Sequence, residues 1–308
     1  MKAITMLGLG VALWLCSTAP AGSQSGSRSA LSTGFYMRDV VMFPLPNAPS
    51  RVLRLNGTAV PTRRGRMIDM DDVTSYAVRV RRAEMVMPAG TMAALMNQYI
   101  LPSADTAIKR VEVAFGNGHI QMRGVMRKAG VPIGFTAIAV PSVSPRGEML
   151  ITVTKMKAAG FIPKGVMDAL GLKMDKVAQP DNREVFRIQG DTMIIPVASM
   201  FPPPKFLGQL RSVRVTPSGL YASLGSGRMR VAPGVRARSY IHMRGGRVNF
   251  GRLTMGQTDL TMVRKGQGRT LGFSPRHYWQ QLRAGYTVAE SDYGLVAHVA
   301  DYRQLGRR

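Results

Sequence analysis

The side chains able to do chemistry are few and scattered. Four histidines, His119, His242, His277 and His298, fall at spacings that build neither an H-x-x-H nor an H-E-x-x-H zinc pair. No G-x-S-x-G nucleophile turn occurs, because Gly22-Ser23-Gln24-Ser25-Gly26 carries glutamine at its centre. Asp69, Asp71 and Asp72 form the one acidic cluster. A calcium loop would continue as D-x-D-x-D-G; this one does not, so a turn between strands is expected. With only 17 Asp and Glu in 308 residues, paired-carboxylate catalysis has little to work with. The chain reads as non-enzymatic, with no catalytic residue, no metal and no cofactor expected.

The remaining reactive residue, Cys16, belongs to a leader. Lys2, the apolar run Ile4 to Leu15 and Ala19-Pro20-Ala21 have the order of a secretion signal. Residues 1–21 are therefore expected to be removed, leaving Gly22 as the first residue. Lipidation of Cys16 is not expected, because Trp14 and Leu15 stand where lipoprotein processing needs small residues. Residues 22–34 are Ser/Gly-rich and read as a disordered tether. Residues 35–308 then form a single strand-rich domain, with no later run of about 18 apolar residues to cross a membrane as a helix. The expected location is the periplasm or cell envelope, peripheral to a membrane.

Charge is the positive chemical signal. The net charge is +25, and between Lys205 and Arg283 fifteen Lys and Arg face one acid, Asp259. Arg228/Arg230 and Arg236/Arg238 alternate, which on a strand puts each pair on one face. A nucleic-acid surface has a similar composition, but an exported protein meets anionic lipid headgroups instead. These four arginines, with Trp279 among the last basic residues, are the expected contacts to an anionic membrane surface. A genome that favours arginine, with solvated faces, gives the same composition.

The elements that position these residues are mostly strands. Val111 to Phe115 and His119 to Arg123 alternate around Asn117-Gly118, a strong hairpin signal. Further strand-like runs are 133–140, 149–156, 184–189, 193–197, 220–224, 240–243, 247–253 and 260–264, and neighbours should pair antiparallel. A helix over Pro88–Ile100 carries Met92, Leu95, Met96, Tyr99 and Ile100 on one face. A shorter one carries Met167 and Leu170 and ends at Gly171, and a third starts at Ser274-Pro275. The predicted class is α+β: a long twisted antiparallel sheet wrapped on two amphipathic helices. The Met and Leu stripes are either ordinary core or the lining of a groove for acyl chains, to which methionine adapts well.

A P-x-G-x-M-x-A-L pattern occurs at Pro88–Leu95 and again at Pro163–Leu170, 75 residues later. Each copy precedes a hairpin of similar sequence, Val111 to Gly124 and Val213 to Gly225, so an internal duplication is expected.

A family resemblance rests on the same stretch, Met87 to Gly225, about half of the chain after the leader. It comprises the helix Pro88–Ile100, Ile108-Lys109-Arg110-Val111-Glu112-Val113, Gly118-His119-Ile120-Gln121-Met122-Arg123-Gly124 and Val131-Pro132-Ile133-Gly134-Phe135. It continues through Ala159-Gly160-Phe161-Ile162-Pro163, the second helix, and Leu210-Arg211-Ser212-Val213-Arg214-Val215 with Gly219-Leu220. This pattern resembles the exported LmeA-like lipid-binding proteins, relatives of the tubular lipid-binding superfamily. The resemblance implies a long twisted sheet on helices, phospholipid binding and no catalysis, and it does not extend to the basic part from Gly227 onward. Two functions follow as expectations. One is binding or shuttling of phospholipid or acyl chains, with Met92, Leu95, Met96, Tyr99, Met167 and Leu170 as the lipid contacts. The other is an envelope assembly factor that holds a protein or an anionic polymer through a sheet edge or a basic face. The oligomeric state is left open.

Overall fold

Alternation begins at once in the described chain. Phe35, Met37, Val40 and Met42 are buried, while Gly34, Tyr36, Arg38 and Val41 lie on the other face, the period of an extended strand. The computed structural model describes residues 32–104, 106–128, 131–158, 162–163, 180–291 and 294–305. In chain order its first strands are β1 (Thr33–Met42), β2 (Ser50–Pro61), β3 (Ile68–Asp69) and β4 (Tyr76–Met87). Thr33 and Gly34, assigned above to the tether, are thus already strand, and Thr33 is fully buried.

Helix α1 (Ala89–Leu95) leaves β4 and continues as a π-helical turn, Met96–Ile100, into α2 (Leu101–Ala104). Pro88 precedes the first turn, where a missing N–H costs nothing. The expected helix is therefore present but changes its winding at Met96, and Asn97 supplies the reason. Its Nδ2 donates to Ala93 O at 2.9 Å and to Val111 O at 2.6 Å, and its Oδ1 accepts from Val111 N at 2.7 Å. Val111 sits in a register shift of the next hairpin, beside Arg110 with φ 50°, so the asparagine replaces its missing ladder partners.

Strands β5 (Ile108–Phe115), β6 (Ile120–Lys128), β7 (Val131–Val143), β8 (Met149–Ala158), β9 (Ile162–Pro163), β10 (Arg187–Gln189) and β11 (Thr192–Ile195) form a second sheet. Its order is β10-β11-β8-β7-β6-β5, with β9 beside β8. Gly118 turns the first hairpin with φ 75°, and Phe115 pairs with Ile120 as the alternation predicts.

The chain then returns to the first sheet with β12 (Lys205–Leu207), β13 (Leu210–Thr216) and β14 (Gly219–Leu224). The last elements are β15 (Tyr240–Arg244), β16 (Val248–Phe250), β17 (Leu253–Met255), β18 (Asp259–Arg264), β19 (Leu271–Phe273), α3 (Tyr278–Arg283), β20 (Tyr286–Ala289) and β21 (Leu295–Val299). The large sheet runs β13-β14-β4-β2-β1-β15-β18-β21-β20, with β12 beside β4 and β19 beside β1. A small sheet, β17-β16-β3, holds the expected strand 247–253 as two short strands bent at Gly251.

The expected single antiparallel sheet is thus two large sheets, and the larger is mixed. β12–β4, β19–β1 and β18–β21 pair in parallel. Parallel neighbours need long connections, and β12 reaches β4 only after the whole second sheet has been built between them. The paired hairpins of the proposed duplication both exist, as β5–β6 and β13–β14, but they close the edges of different sheets. The second helix, with Met167 and Leu170, and the leader with Cys16 lie outside the described residues.

Candidate functional site

The edge of β4 takes two partners. β12 lies parallel along Ala77–Arg79, and β14 lies antiparallel along Ala83–Met87. The run Phe201-Pro202-Pro203-Pro204 leads into β12 across the inner face beside this join. Its prolines fix φ and carry no N–H, so the segment forms a stiff rim rather than another ladder. Beneath it is a pocket whose walls include Met42, Ser50, Val52, Leu55, Ala83, Phe201, Phe206 and Leu224.

Nearly all of that wall is apolar. Phe201 and Phe206 meet edge to face, with ring centroids 6.3 Å apart. Val80, Met85 and Phe206 are only half-buried, while Ser50, Val52, Leu55, Phe201 and Leu224 are fully buried. The one polar exception is the Ser50 hydroxyl, which is 2 % exposed and has no hydrogen-bond partner among the described residues. A buried hydroxyl without a partner is unfavourable. The enclosed space is about 50 Å³. At roughly 10–15 Å³ for each water-sized sphere, this takes the end of one alkyl chain and not the two chains of a phospholipid.

The helix stripe lies elsewhere. Met92, Leu95 and Met96 are buried in the core that joins helix and sheets, and none of them borders this pocket. Tyr99 is half-buried; its hydroxyl accepts from Lys205 Nζ, which also lies 5.2 Å from the ring centroid. Met92, Leu95 and Met96 pack into the shared core. Ala94 shares that environment and is buried, so Ala94→Trp is expected to overpack the core and cost roughly 1–3 kcal/mol in denaturant unfolding. An unchanged midpoint would show open space beside the helix instead.

The four expected membrane-contact arginines are all exposed, but not on strands. Arg228, Arg230, Arg236 and Arg238 lie on the irregular connection from β14 to β15, whose path includes Pro233 and Gly234 with φ 76°. That connection crosses the outer face of the large sheet. Arg230 N donates to Asn56 Oδ1 at 3.4 Å, and Ala232 N donates to the Tyr240 hydroxyl at 3.1 Å. Trp279, 38 % exposed, lies apart from it on α3, with its ring against Gly251.

The scattered polar groups are tied into structure. Asp72 accepts from Thr74 through both the hydroxyl and the backbone N–H, which hold its carboxyl below the ordinary carboxylate range. Asp71 accepts from the Tyr278 hydroxyl, fastening the acidic turn to α3. Burial, together with that carboxylate, pushes the Tyr278 phenol up. His242 is buried with Nδ1 2.9 Å from the Thr261 hydroxyl, and burial lowers its pKa. His277 Nδ1 meets Ser274 Oγ at 3.1 Å within one turn, where Ser274 is 2 % exposed and no carboxylate among the described residues orients the imidazole. Among the described residues no group of three His, Cys, Asp or Glu is placed to hold a metal ion.

No protein-family profile, no curated protein and no solved structure matches this chain.

Proposed function

We propose that this chain is a non-enzymatic lipid-binding protein of the cell envelope, which seats the end of one acyl chain in the pocket beneath Phe201–Phe206. The observation that carries the reading is the pocket itself: apolar walls, a proline run along one side, and half-buried Val80, Met85 and Phe206 beside buried neighbours. The exposed arginines around the outer face suit a protein that works beside anionic lipid. The leader of residues 1–21 supplies export in this reading, and the two hairpins support a doubled helix-plus-hairpin ancestry.

A filling mutation separates binding from folding. Ala83 is small, borders the pocket and pairs with Leu55 on β2 and Leu224 on β14. Ala83→Leu should occupy the space an alkyl chain would use. The expected result is loss of fluorescent fatty-acid binding with a melting temperature equal to or above that of the original protein, since filling a void adds contacts. Full binding by a folded Ala83→Leu protein would remove the pocket from the account.

A second reading has its own observation. All four residues of β20 are exposed, with Tyr286 at 51 % and Val288 at 45 %, and one edge of this strand has no neighbour among the described residues. Such an edge suits an assembly factor that adds a partner's strand. That reading gains if no lipid class binds the protein.

A further inference from the structure

β1 changes partners halfway along one edge. β15 pairs with it as far as Arg38, opposite Tyr240, and β19 takes over at Val40, opposite Leu271. Asp39 stands at the fork with φ 50°, a left-handed conformation that aspartate tolerates better than most residues. One hydroxyl joins the three strands there. Ser239 Oγ donates to Asp39 O at 2.7 Å and accepts from Leu271 N at 2.8 Å. This clamp brings Arg238, next to Ser239, to the same place as Arg269 and Thr270, which precede Leu271. Arg51 joins them from β2, where it lies opposite Val41. Together Asp39, Val41, Arg51, Arg238, Arg269 and Thr270 wall an open cleft of about 390 Å³.

The charges in this cleft do not balance. Three guanidinium groups against one carboxylate leave 3 − 1 = +2. Asp39 is engaged by Arg51 Nε at 2.7 Å, so the Arg51 guanidinium is oriented while its two Nη groups make no hydrogen bond among the described residues. Arg238 and Arg269 have no acidic partner among the described residues. Like charges that line one cleft repel one another, and an anion between them relieves that repulsion. Guanidinium groups match tetrahedral oxyanions in geometry as well as charge, through paired N–H donors. The Thr270 hydroxyl adds a neutral donor.

We propose that this cleft binds a phosphate monoester or a similar tetrahedral dianion, carried either by a lipid headgroup or by a soluble phosphorylated molecule. The site is separate from the acyl pocket. Val41 and Arg51 face outward on β1 and β2, while Met42, Ser50 and Val52 beside them face the pocket, as strand alternation requires. Failure of the acyl-chain reading leaves this one standing.

The test uses the full chain, with glycerol 3-phosphate in calorimetric titration at constant ionic strength. A parallel arm uses phosphatidylcholine vesicles with and without phosphatidic acid. The variant Arg238→Gln/Arg269→Gln removes two exposed cleft arginines. Arg64→Gln/Arg66→Gln removes the same charge from the exposed turn after β2, outside the cleft. The expected result is saturable binding weakened roughly tenfold or more in the cleft variant and nearly unchanged in the control. Binding of glycerol 3-phosphate identifies a soluble source. Binding of phosphatidic acid vesicles alone, lost in the cleft variant, identifies a headgroup. Absence of binding in both arms, or an equal loss in the two variants, overturns the site.

Discussion

Replacing Asp301 with asparagine is expected to cost roughly 3–5 kcal/mol of stability, because it leaves the largely buried Arg264 without its counter-charge. Asp301 is fully buried between the end of β21 and the C-terminal turn. It accepts from Arg264 Nη1 at 2.7 Å, from Arg303 Nη2 at 2.6 Å and from the backbone N–H of Gly272 at 3.0 Å. The Arg264 side chain is itself only 16 % exposed, so it cannot turn to solvent when the carboxylate goes. The same carboxylate predicts an acid dependence. Burial alone would raise its pKa, but the donors from Arg303 and Gly272 outweigh burial and hold it below the ordinary carboxylate value. A depressed folded-state pKa contributes stability above the unfolded value of about 3.9, and that contribution is lost as the pH falls through the lower folded value. Urea unfolding of the original protein should therefore weaken from about pH 4 downward, and Asp301→Asn should lack that component. Equal acid sensitivity in the two proteins would show that other carboxylates carry it.

Leu95→Ala is the second large effect, expected at roughly 2–5 kcal/mol. Leu95 is 2 % exposed on α1 within the shared core. Asn97 pins the next turn to Val111 through two hydrogen bonds, so the helix cannot easily slide to close the void. Incomplete collapse puts the cost toward the upper part of that range. The check is a denaturant midpoint shift with an unchanged slope, and a loss well below 1 kcal/mol would mean that the site collapses freely.

Local pattern made part of this legible. The hairpin around Gly118 reads directly from uninterrupted alternation on both sides of a glycine turn. The stripe Met92, Leu95 and Met96 reads from helical period, and its burial follows. The strands that form the centre of the large sheet, β1, β2 and β4, did not announce themselves. Arginines at 38, 51, 54, 79, 81 and 82 interrupt their apolar runs, and the β2–β4 ladder shifts register at Val52/Arg54 and Asn56/Gly57, which resets the period of two. The arginines after Gly227 looked like strand because they alternate, yet the connection follows turns at Gly225 and Gly234, both with positive φ.

Neither candidate site can be read from local spacing. The pocket exists because Lys205 returns to lie opposite Ala77, and the arginine cleft exists because Ser239 and Leu271 meet at Asp39. Both juxtapositions are long-range, and no periodicity encodes them. The run Phe201-Pro202-Pro203-Pro204-Lys205-Phe206 was the one local signal available: three rigid residues between two aromatics that a strand ladder cannot absorb.

The acyl-chain reading is tested most directly by a photoreactive fatty acid with a diazirine at its methyl end, bound to the full chain, irradiated and mapped by peptide mass spectrometry. The account predicts cross-links on β4 between Val80 and Met85 and on the segment Phe201–Phe206, competed by unlabelled fatty acid and reduced in Ala83→Leu. Cross-links confined to α1, to the outer arginine face or to no defined peptide would contradict it.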